Sequence, residues 1–468
     1  MTIRECDKFK DECGVFGIYS NKKTTIAHYV YYGLYALQHR GQESSGICVN
    51  QDGNLILEKG MGIVPDVFDD ETLNNMTGKA AIGHVRYSTT GDTRLINAQP
   101  LLSKFKLGQM AIAHNGNLVN TDVIRELLEE SGCNFQTTID TEVILNMIAR
   151  KASKGIEKAL VDTVQAVKGS YAIVILTKDK LIGIRDPHGI RPLCIGKIDD
   201  GYVLSSESCA LDVIGAELIR DVEPGEIVII DDEGLRSIKL NEKAITKACA
   251  FEYIYFARPD SIMNGINVYE ARVKAGELLY KDAPAEADLV IGVPDSGIPS
   301  AVGYSKASGI PYAMGIVKNK YVARTFIAPT QELREKAVSI KLNALRCLVE
   351  GKRVVLIDDS IVRGTTSKKL VDIMRRAGAK EVHFRSAAPA VKYPCYFGID
   401  TPYRSELIAA QRNLEEIREF IGSDSVGYLS IPSLVEALGG ENHFCLGCFA
   451  GEYPVSAPME MSKVRLED

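Results

Sequence analysis

The stretch VVLIDDSIVRGTTS, residues 354–367, decides how the C-terminal half of this chain is read. A short Val/Ile/Leu run ends in two adjacent carboxylates, Asp358 and Asp359, and a loop of small residues follows. Such a run bounded by turn residues reads as a fully buried strand, and the periodic segment after it predicts a helix beginning near Ser367. Gly364, Thr365, Thr366 and Ser367 then offer backbone N–H groups and hydroxyls at a helix N-terminus, an arrangement that suits a phosphate. Carboxylates beside a phosphate are unfavourable unless they bind sugar hydroxyls or a metal ion. The local chemistry therefore asks for a sugar phosphate with Mg2+. A plain strand–turn–helix junction, with the Asp pair serving the turn, is the competing reading of a shorter match. The chain contains no G-x-x-x-x-G-K-[ST] and no G-x-G-x-x-G, which removes support for Walker-type and dinucleotide-binding readings.

Working outward, ADLVIGVPDSG, IPSAVGYSKASG and IPYAMGIV precede this stretch and AKEVHFRSA follows it. Strand, loop and helix alternate, which predicts a parallel sheet of βαβ units, an α/β domain. A second loop after a strand, GVPDSGIPS at 292–300, carries Ser296, and a cationic cluster follows with Lys318, Lys320 and Arg324. Basic segments are usually solvated surface, but a polyphosphate repays several cations, above all Arg in bidentate geometry.

Before residue 250 the texture differs. AIGHVRYST, MAIAHNGNL, YAIVILT, KLIGIRD and EIVIID read as strands separated by Gly, Asn and Asp turns, which predicts stacked antiparallel sheets. TTIDTEVILNMIARKA is the clearest helix, with Thr141 as its expected cap. The boundary between the halves is expected in the polar stretch DDEGLRSIKLNEK, residues 231–243.

A length of 468 residues suits two domains, and 46% apolar with 25% charged residues is an ordinary globular composition. No apolar run approaches the ~18 residues of a membrane span, and MTIRECDKFKDEC has no apolar core of a secretory signal, so a cytoplasmic protein is expected. A net charge of −6 disfavours a nucleic-acid or membrane surface. The eleven cysteines are scattered, and in a reducing compartment each is read singly, as core thiol, metal ligand or nucleophile. Cys347, within LNALRCLVE, is expected in the core.

Residues 354–367 resemble the phosphoribosyl pyrophosphate (PRPP) signature of type I phosphoribosyltransferases. Residues 292–300 resemble the family's pyrophosphate loop, which implies Ser296 near the metal. KNKYVARTFI, 318–327, resembles the loop that closes over PRPP and carries Arg324. In the other half, CGVFG from Cys13, LQHRGQESSGI (37–47), GHVRYSTTG (83–91), AHNGNL (113–118) and TTIDTE (137–142) together resemble the class II, Ntn-type glutamine amidotransferases. That resemblance implies an αββα sandwich over residues 13–243, a propeptide at 1–12, and the phosphoribosyltransferase domain at 244–468.

The implied chemistry can be argued on its own terms. Cutting the Glu12–Cys13 bond gives Cys13 a free α-amine beside its thiol, and an amine with a pKa of roughly 7.7–8.0 can act as base near neutrality. No cysteine sits in a G-x-C-x-G elbow, which leaves the triad type of glutaminase unsupported. The resemblance makes Cys13 the nucleophile, Asn115 and the Gly116 N–H the oxyanion donors, Arg86 the partner of the substrate carboxylate and Asp140 that of its ammonium. A zwitterion needs one fixed charge of each sign. An ion pair or helix cap is the structural alternative for Arg86 and Asp140.

The two halves together resemble the amidophosphoribosyltransferase family. This implies PRPP + glutamine + H2O → 5-phosphoribosylamine + glutamate + PPi with Mg2+, the first committed step of purine synthesis. It also implies a homotetramer with purine nucleotides as feedback inhibitors. Cys249, Cys395, Cys445 and Cys448 stand in KAC-AFEYIYF, YPC-YFGID and CLGC-F contexts that hold a [4Fe–4S] cluster in part of the family. As a donor set, four thiols serve Zn2+ equally. Competing functions are a relative of glucosamine-6-phosphate synthase, which needs sugar-isomerase domains, and a non-catalytic PRPP-sensing regulator, which needs no glutaminase set.

Overall fold

Every strand pairing between Gly14 and Lys239 is antiparallel, whereas the four-stranded sheet beyond residue 285 is parallel throughout. The computed structural model describes residues 13–87, 93–240, 245–319, 342–399, 401, 403–441 and 443–456.

The first half contains a seven-stranded and a six-stranded sheet. Strands β1 (Gly14–Thr24) and β2 (Gly78–Arg86) are neighbours in the seven-stranded sheet. Strands β3 (Gly108–Leu118) and β4 (Gly169–Thr177) are neighbours in the other. The unbroken apolar run YAIVILT is explained by its two faces. Ala172, Val174 and Leu176 pack against Val15 and Ile82 between the sheets, while Tyr171, Ile173 and Ile175 pack against helix α1 (Asp140–Lys151) through Val143, Ile144 and Ile148. The helix Ile26–Ala36 covers the outer face of the first sheet with Val30 and Leu34. The layers are therefore helix, sheet, sheet, helix.

Thr141 does not cap α1. The helix begins one residue earlier, and Thr141 lies inside its first turn with its hydroxyl 3.3 Å from the His114 ring. Glu142 secures the start instead, accepting from the Gln136 N–H at 3.0 Å and from the N–H and hydroxyl of Thr137 at 2.7 Å each. A carboxylate in the first helical turn is also favoured by the helix dipole.

The second half runs through strand β5 (Ala248–Cys249), helix α2 (Val268–Asp282), strand β6 (Leu289–Gly292), helix α3 (Gly297–Ser308), strand β7 (Arg353–Asp358), helix α4 (Thr365–Arg376), strand β8 (Glu381–Ser386), strand β9 (Ser425–Tyr428) and strand β10 (Phe444–Cys445). The parallel sheet has the order β6-β7-β8-β9. Val290, Val355 and Ile357 face α2 and α3, and Ile291, Val354 and Leu356 face α4. Helices α2 and α3 touch backbone to backbone. A Cβ on Gly276 would stand 1.9 Å from the Ser300 carbonyl oxygen, and one on Gly303 1.9 Å from that of Val273.

Two expectations are corrected here. IPYAMGIV does not continue the parallel sheet: Tyr312 makes a single bridge to Val290, and Ile316–Lys318 pairs antiparallel with Leu342–Ala344. Pro311 has no N–H to extend the ladder. Cys347 is exposed on the four-residue helix Arg346–Val349, whose buried residue is Val349.

Candidate active sites

The residue immediately before β1 is Cys13, whose pairing strand β2 ends in Arg86. Both side chains are buried. The thiol donates to the Tyr87 carbonyl at 3.4 Å, and burial pushes its pKa up to about 11, with Arg86 acting in the opposite direction. Glu43 and Asp140 also bear on the thiol, and Cys13, Glu43 and Asp140 together counter the loss of hydration at Arg86. The fold thus gathers the nucleophile candidate with one fixed cation and fixed anions. One oxygen of Asp140 accepts from the Leu118 N–H at 2.9 Å, and the other lies 3.4 Å from His114 Nδ1. Asp140 is therefore held in place from β3.

Asn115 and Gly116 follow His114 on β3. The His84 ring meets the His114 carbonyl at 3.1 Å and ties the facing ends of β2 and β3 together. Asn115 is buried, and its Nδ2 has no hydrogen-bond partner among the described residues. A buried amide without an acceptor costs about 1–3 kcal/mol. Such a donor is poised for an acceptor that arrives with substrate. Gly116 has φ 146°, and a Cβ there would stand 2.1 Å from the Ser170 carbonyl oxygen, so only glycine lets the chain pass.

In the second half the ends of β6 and β7 lie side by side, with the Val293 N–H donating to the Ile357 carbonyl at 2.8 Å. Both loops of the expected phosphate site therefore sit at the carboxyl ends of adjacent parallel strands, where ligands bind in open α/β sheets. Asp358 and Asp359 are buried. Ser296 donates to Asp359 at 2.5 Å and Ser360 to its other oxygen at 2.7 Å, while the Asp359 N–H donates to Asp358 at 2.9 Å. Ser296 and the acidic pair, expected together from sequence, are in contact. Gly364, with φ 82°, is the N-cap residue of α4 and has no side chain to cap it. Ser367 is buried in its first turn. Lys318 pairs with Asp295 at 2.5 Å, and the Pro294–Asp295 peptide bond is cis. Residues 1–12, expected to be a propeptide, and Lys320 and Arg324 lie outside the described residues.

Strands β5 and β10 pair parallel with Cys249 opposite Cys445. The thiols of Cys249, Cys395 and Cys445 all bear electrostatically on Cys448, so the four expected ligands share one region. Burial raises the pKa of Cys249, Cys445 and Cys448, and Cys395 Sγ accepts from the Phe397 N–H at 3.3 Å. Among the described residues no three His, Cys, Asp or Glu side chains stand in metal-ligating geometry. The donors are gathered without being converged. As chemistry, a set of four sulfurs in an apolar shell still fits a thiolate-bound metal centre.

Sequence reading assigned nothing to Arg40, although it lies in the quoted LQHRGQESSGI. It is buried with its Nε donating to the Cys13 carbonyl at 3.1 Å and its terminal nitrogens on Glu207 and Glu252. Glu207 lies outside the quoted motifs, Glu252 stands in the KAC-AFEYIYF context quoted for Cys249, and residues 40, 207 and 252 are too far apart for any local pattern to join them.

Known proteins carry the same two parts in the same order. Residues 84–213 match the glutamine amidotransferase domain family and residues 270–390 the phosphoribosyl transferase domain family. The amidophosphoribosyltransferase of Methanothermobacter thermautotrophicus is 51% identical over 461 residues, covering 97% of each chain. That of Bacillus subtilis is 46% identical over 458 residues, covering 97% of this chain and 96% of its own. The solved glutamine PRPP amidotransferase from B. subtilis, complexed with ADP and GMP, superposes with a TM-score of 0.91 at 46% identity, covering 96% of this chain and 99% of that one. A structure described as the allosteric regulatory enzyme of purine biosynthesis gives 0.92 at 46% identity, with 97% and 99% covered. Among the described residues no helix is long and apolar enough to cross a membrane. With likeness at this level along nearly its whole length, the chain belongs to the amidophosphoribosyltransferase family.

Proposed function

We propose that this chain makes 5-phosphoribosylamine from PRPP and glutamine, releasing glutamate and pyrophosphate, with residues 13–243 as glutaminase and 244–468 as phosphoribosyltransferase. The observation that carries this reading is the buried Cys13 in the field of Arg86 and Asp140, in the same chain as an acidic pair at the end of a parallel strand. Freed of the twelve residues before it, Cys13 supplies both base and nucleophile. Its α-amine takes the thiol proton, and Sγ attacks the amide carbon of glutamine. Asn115 Nδ2 and the Gly116 N–H receive the oxyanion, a role worth roughly 10²–10³ in rate. The α-ammonium returns that proton to the amide nitrogen, the C–N bond breaks, ammonia leaves, and water then hydrolyses the γ-glutamyl thioester to glutamate and the free thiol. Arg86 holds the substrate carboxylate and Asp140 its ammonium.

Ammonia must pass to the second site shielded from water, since free ammonia would be protonated and lost. There Gly364, Thr365, Thr366 and Ser367 hold the 5-phosphate, and Asp358 and Asp359 take the ribose hydroxyls. Ser296, Asp358 and Asp359 would hold Mg2+, which would supply positive charge for the departing pyrophosphate. Arg324 completes the PRPP set by resemblance. Cys249, Cys395, Cys445 and Cys448 would hold one [4Fe–4S] cluster, with Zn2+ as the alternative for the same donors. Purine nucleotides inhibit the enzyme as feedback ligands. The B. subtilis structure with ADP and GMP supports that expectation. The assembly is a homotetramer in the cytoplasm.

The test measures glutamate release and pyrophosphate release by the purified enzyme with Mg2+, with and without PRPP. Pyrophosphate should form from PRPP with glutamine or with high ammonia, and PRPP should stimulate glutamine hydrolysis. No pyrophosphate with either nitrogen source would reject the reading.

A further inference from the structure

Arg40 is fully buried, and its donors reach at least three partners among the described residues. Its Nε donates to the Cys13 carbonyl at 3.1 Å, Nη1 donates to Glu207 at 2.5 Å, and Nη2 reaches both oxygens of Glu252 at 2.7 and 3.0 Å. Glu207 belongs to the same half as Cys13, but Glu252 does not. It opens the π-helical turn Glu252–Phe256, three residues beyond Cys249. A second buried guanidinium, Arg191, lies 3.4 Å from Glu252 and also donates to the Phe397 carbonyl. Glu207 further accepts from His39 at 2.7 Å, the Arg258 N–H at 2.9 Å and Ser261 at 2.6 Å. Two guanidiniums and two carboxylates thus meet in a buried site behind the nucleophile. Burial opposes charge on Glu207, yet His39 and Arg40 outweigh it and hold the carboxyl well below the usual carboxylate range.

We propose that Glu252 is a positioning residue for the glutaminase, fixing the backbone of Cys13 through Arg40 from the other half of the chain. A guanidinium presents its donors in a rigid plane, so three partners can be satisfied together only in one orientation. With Glu252 on Nη2 and Glu207 on Nη1, Nε is aimed at the Cys13 carbonyl. Without the Glu252 carboxylate, Nη2 loses the charged acceptor that holds it in this buried site. Arg40 must then turn to find another acceptor. The carbonyl is released, and the Sγ and α-amine on the same residue lose their placement. Arg86, Glu43 and Asp140, which face Cys13 from other segments, are not changed by this. The effect therefore falls on the rate of attack more than on glutamine binding.

The inference rests on Cys13 being the nucleophile, so Cys13→Ala is assayed in parallel with Glu252→Gln and Glu252→Asp. All are prepared as the whole processed enzyme, with intact mass confirming the same N-terminus. For Glu252→Gln the expected result is a fall of about a hundredfold in glutaminase kcat, the scale of a misplaced reacting group, with KM for glutamine and ammonia-dependent synthesis each within about threefold. Glu252→Asp keeps the charge and should recover part of the rate. A Glu252→Gln enzyme with glutaminase kcat within threefold of wild type overturns the proposal, as does an equal loss with ammonia. If Glu252→Gln does not fold, Glu252→Asp decides alone. A lowered glutaminase kcat with the ammonia rate intact supports the proposal, and an unchanged glutaminase kcat overturns it. A Cys13→Ala enzyme that still hydrolyses glutamine would remove the nucleophile assignment itself.

Discussion

Asn115→Ala separates catalysis from stability because of how the side chain is placed. Its Nδ2 is buried without a partner among the described residues, so the folded protein carries a desolvated donor. That costs about 1–3 kcal/mol, and truncation removes the cost. Against this gain stands the packing lost with the carboxamide group, of the order of 1–2 kcal/mol. The two nearly cancel, so the melting temperature should move by no more than about 4 °C in either direction. Activity should behave differently. If Nδ2 receives the oxyanion, its loss should lower glutaminase kcat by about 10²–10³, or roughly 2.7–4 kcal/mol of transition-state stabilisation. The KM for glutamine should change little, since the ground-state carbonyl gains less from the donor than the oxyanion does. The assay follows glutamate release at saturating PRPP, with scanning calorimetry on the same preparation. A kcat within threefold of wild type would refute the oxyanion role. A large loss of stability would show that Nδ2 has a structural partner in solution and would undo the argument from its placement.

Further outcomes follow from the other groups. Asp359→Asn leaves Ser296 and Ser360 without a charged acceptor, and PRPP turnover should fall about a hundredfold or more with glutamine and ammonia alike; a loss confined to glutamine would place Asp359 outside the phosphoribosyl site. Cys448→Ser should lower iron and sulfide content by elemental analysis in parallel with the visible absorbance of the cluster, whereas stoichiometric zinc in anaerobically prepared wild type would select the Zn2+ alternative. His84 is held down to about 3, chiefly by burial and further by Arg86, so the folded protein resists its protonation while the unfolded chain binds a proton near pH 6.5. The unfolded state then holds more protons below that pH, and stability falls as pH drops from about 6.5 towards 3. At pH 5 the gap of about 1.5 pH units corresponds to roughly 2 kcal/mol, measurable by denaturant titration. His84→Gln should flatten the slope between pH 7 and 5, and an unchanged slope would assign the acid sensitivity elsewhere.

What was legible in the sequence divides along a physical line. A phosphate is held by consecutive backbone N–H groups, and a strand end delivers its acidic pair to one place, so Asp358, Asp359 and Gly364 to Ser367 form a continuous string that can be read without a fold. YAIVILT was equally local as a strand, and the structure shows why it is apolar at every position, since both of its faces are covered. The errors came where the outcome depended on what arrives from elsewhere. Thr141 had cap chemistry, but the N–H groups of residues 136 and 137 turned to Glu142. Cys347 sat in an apolar pattern, but its helix is a single turn that buries only Val349. Arg40 shows the same limit at the site itself. Its partners come from residues 13, 207 and 252, and nothing about those positions marks them as neighbours until the two halves meet. A buried guanidinium is tolerated only where carboxylates offset its lost hydration. Arg40, Glu207 and Glu252 are therefore one unit that neither half can complete alone. The residues proposed to do chemistry on a substrate stand in short strings, whereas the residue proposed to aim the nucleophile is held by an agreement between distant segments.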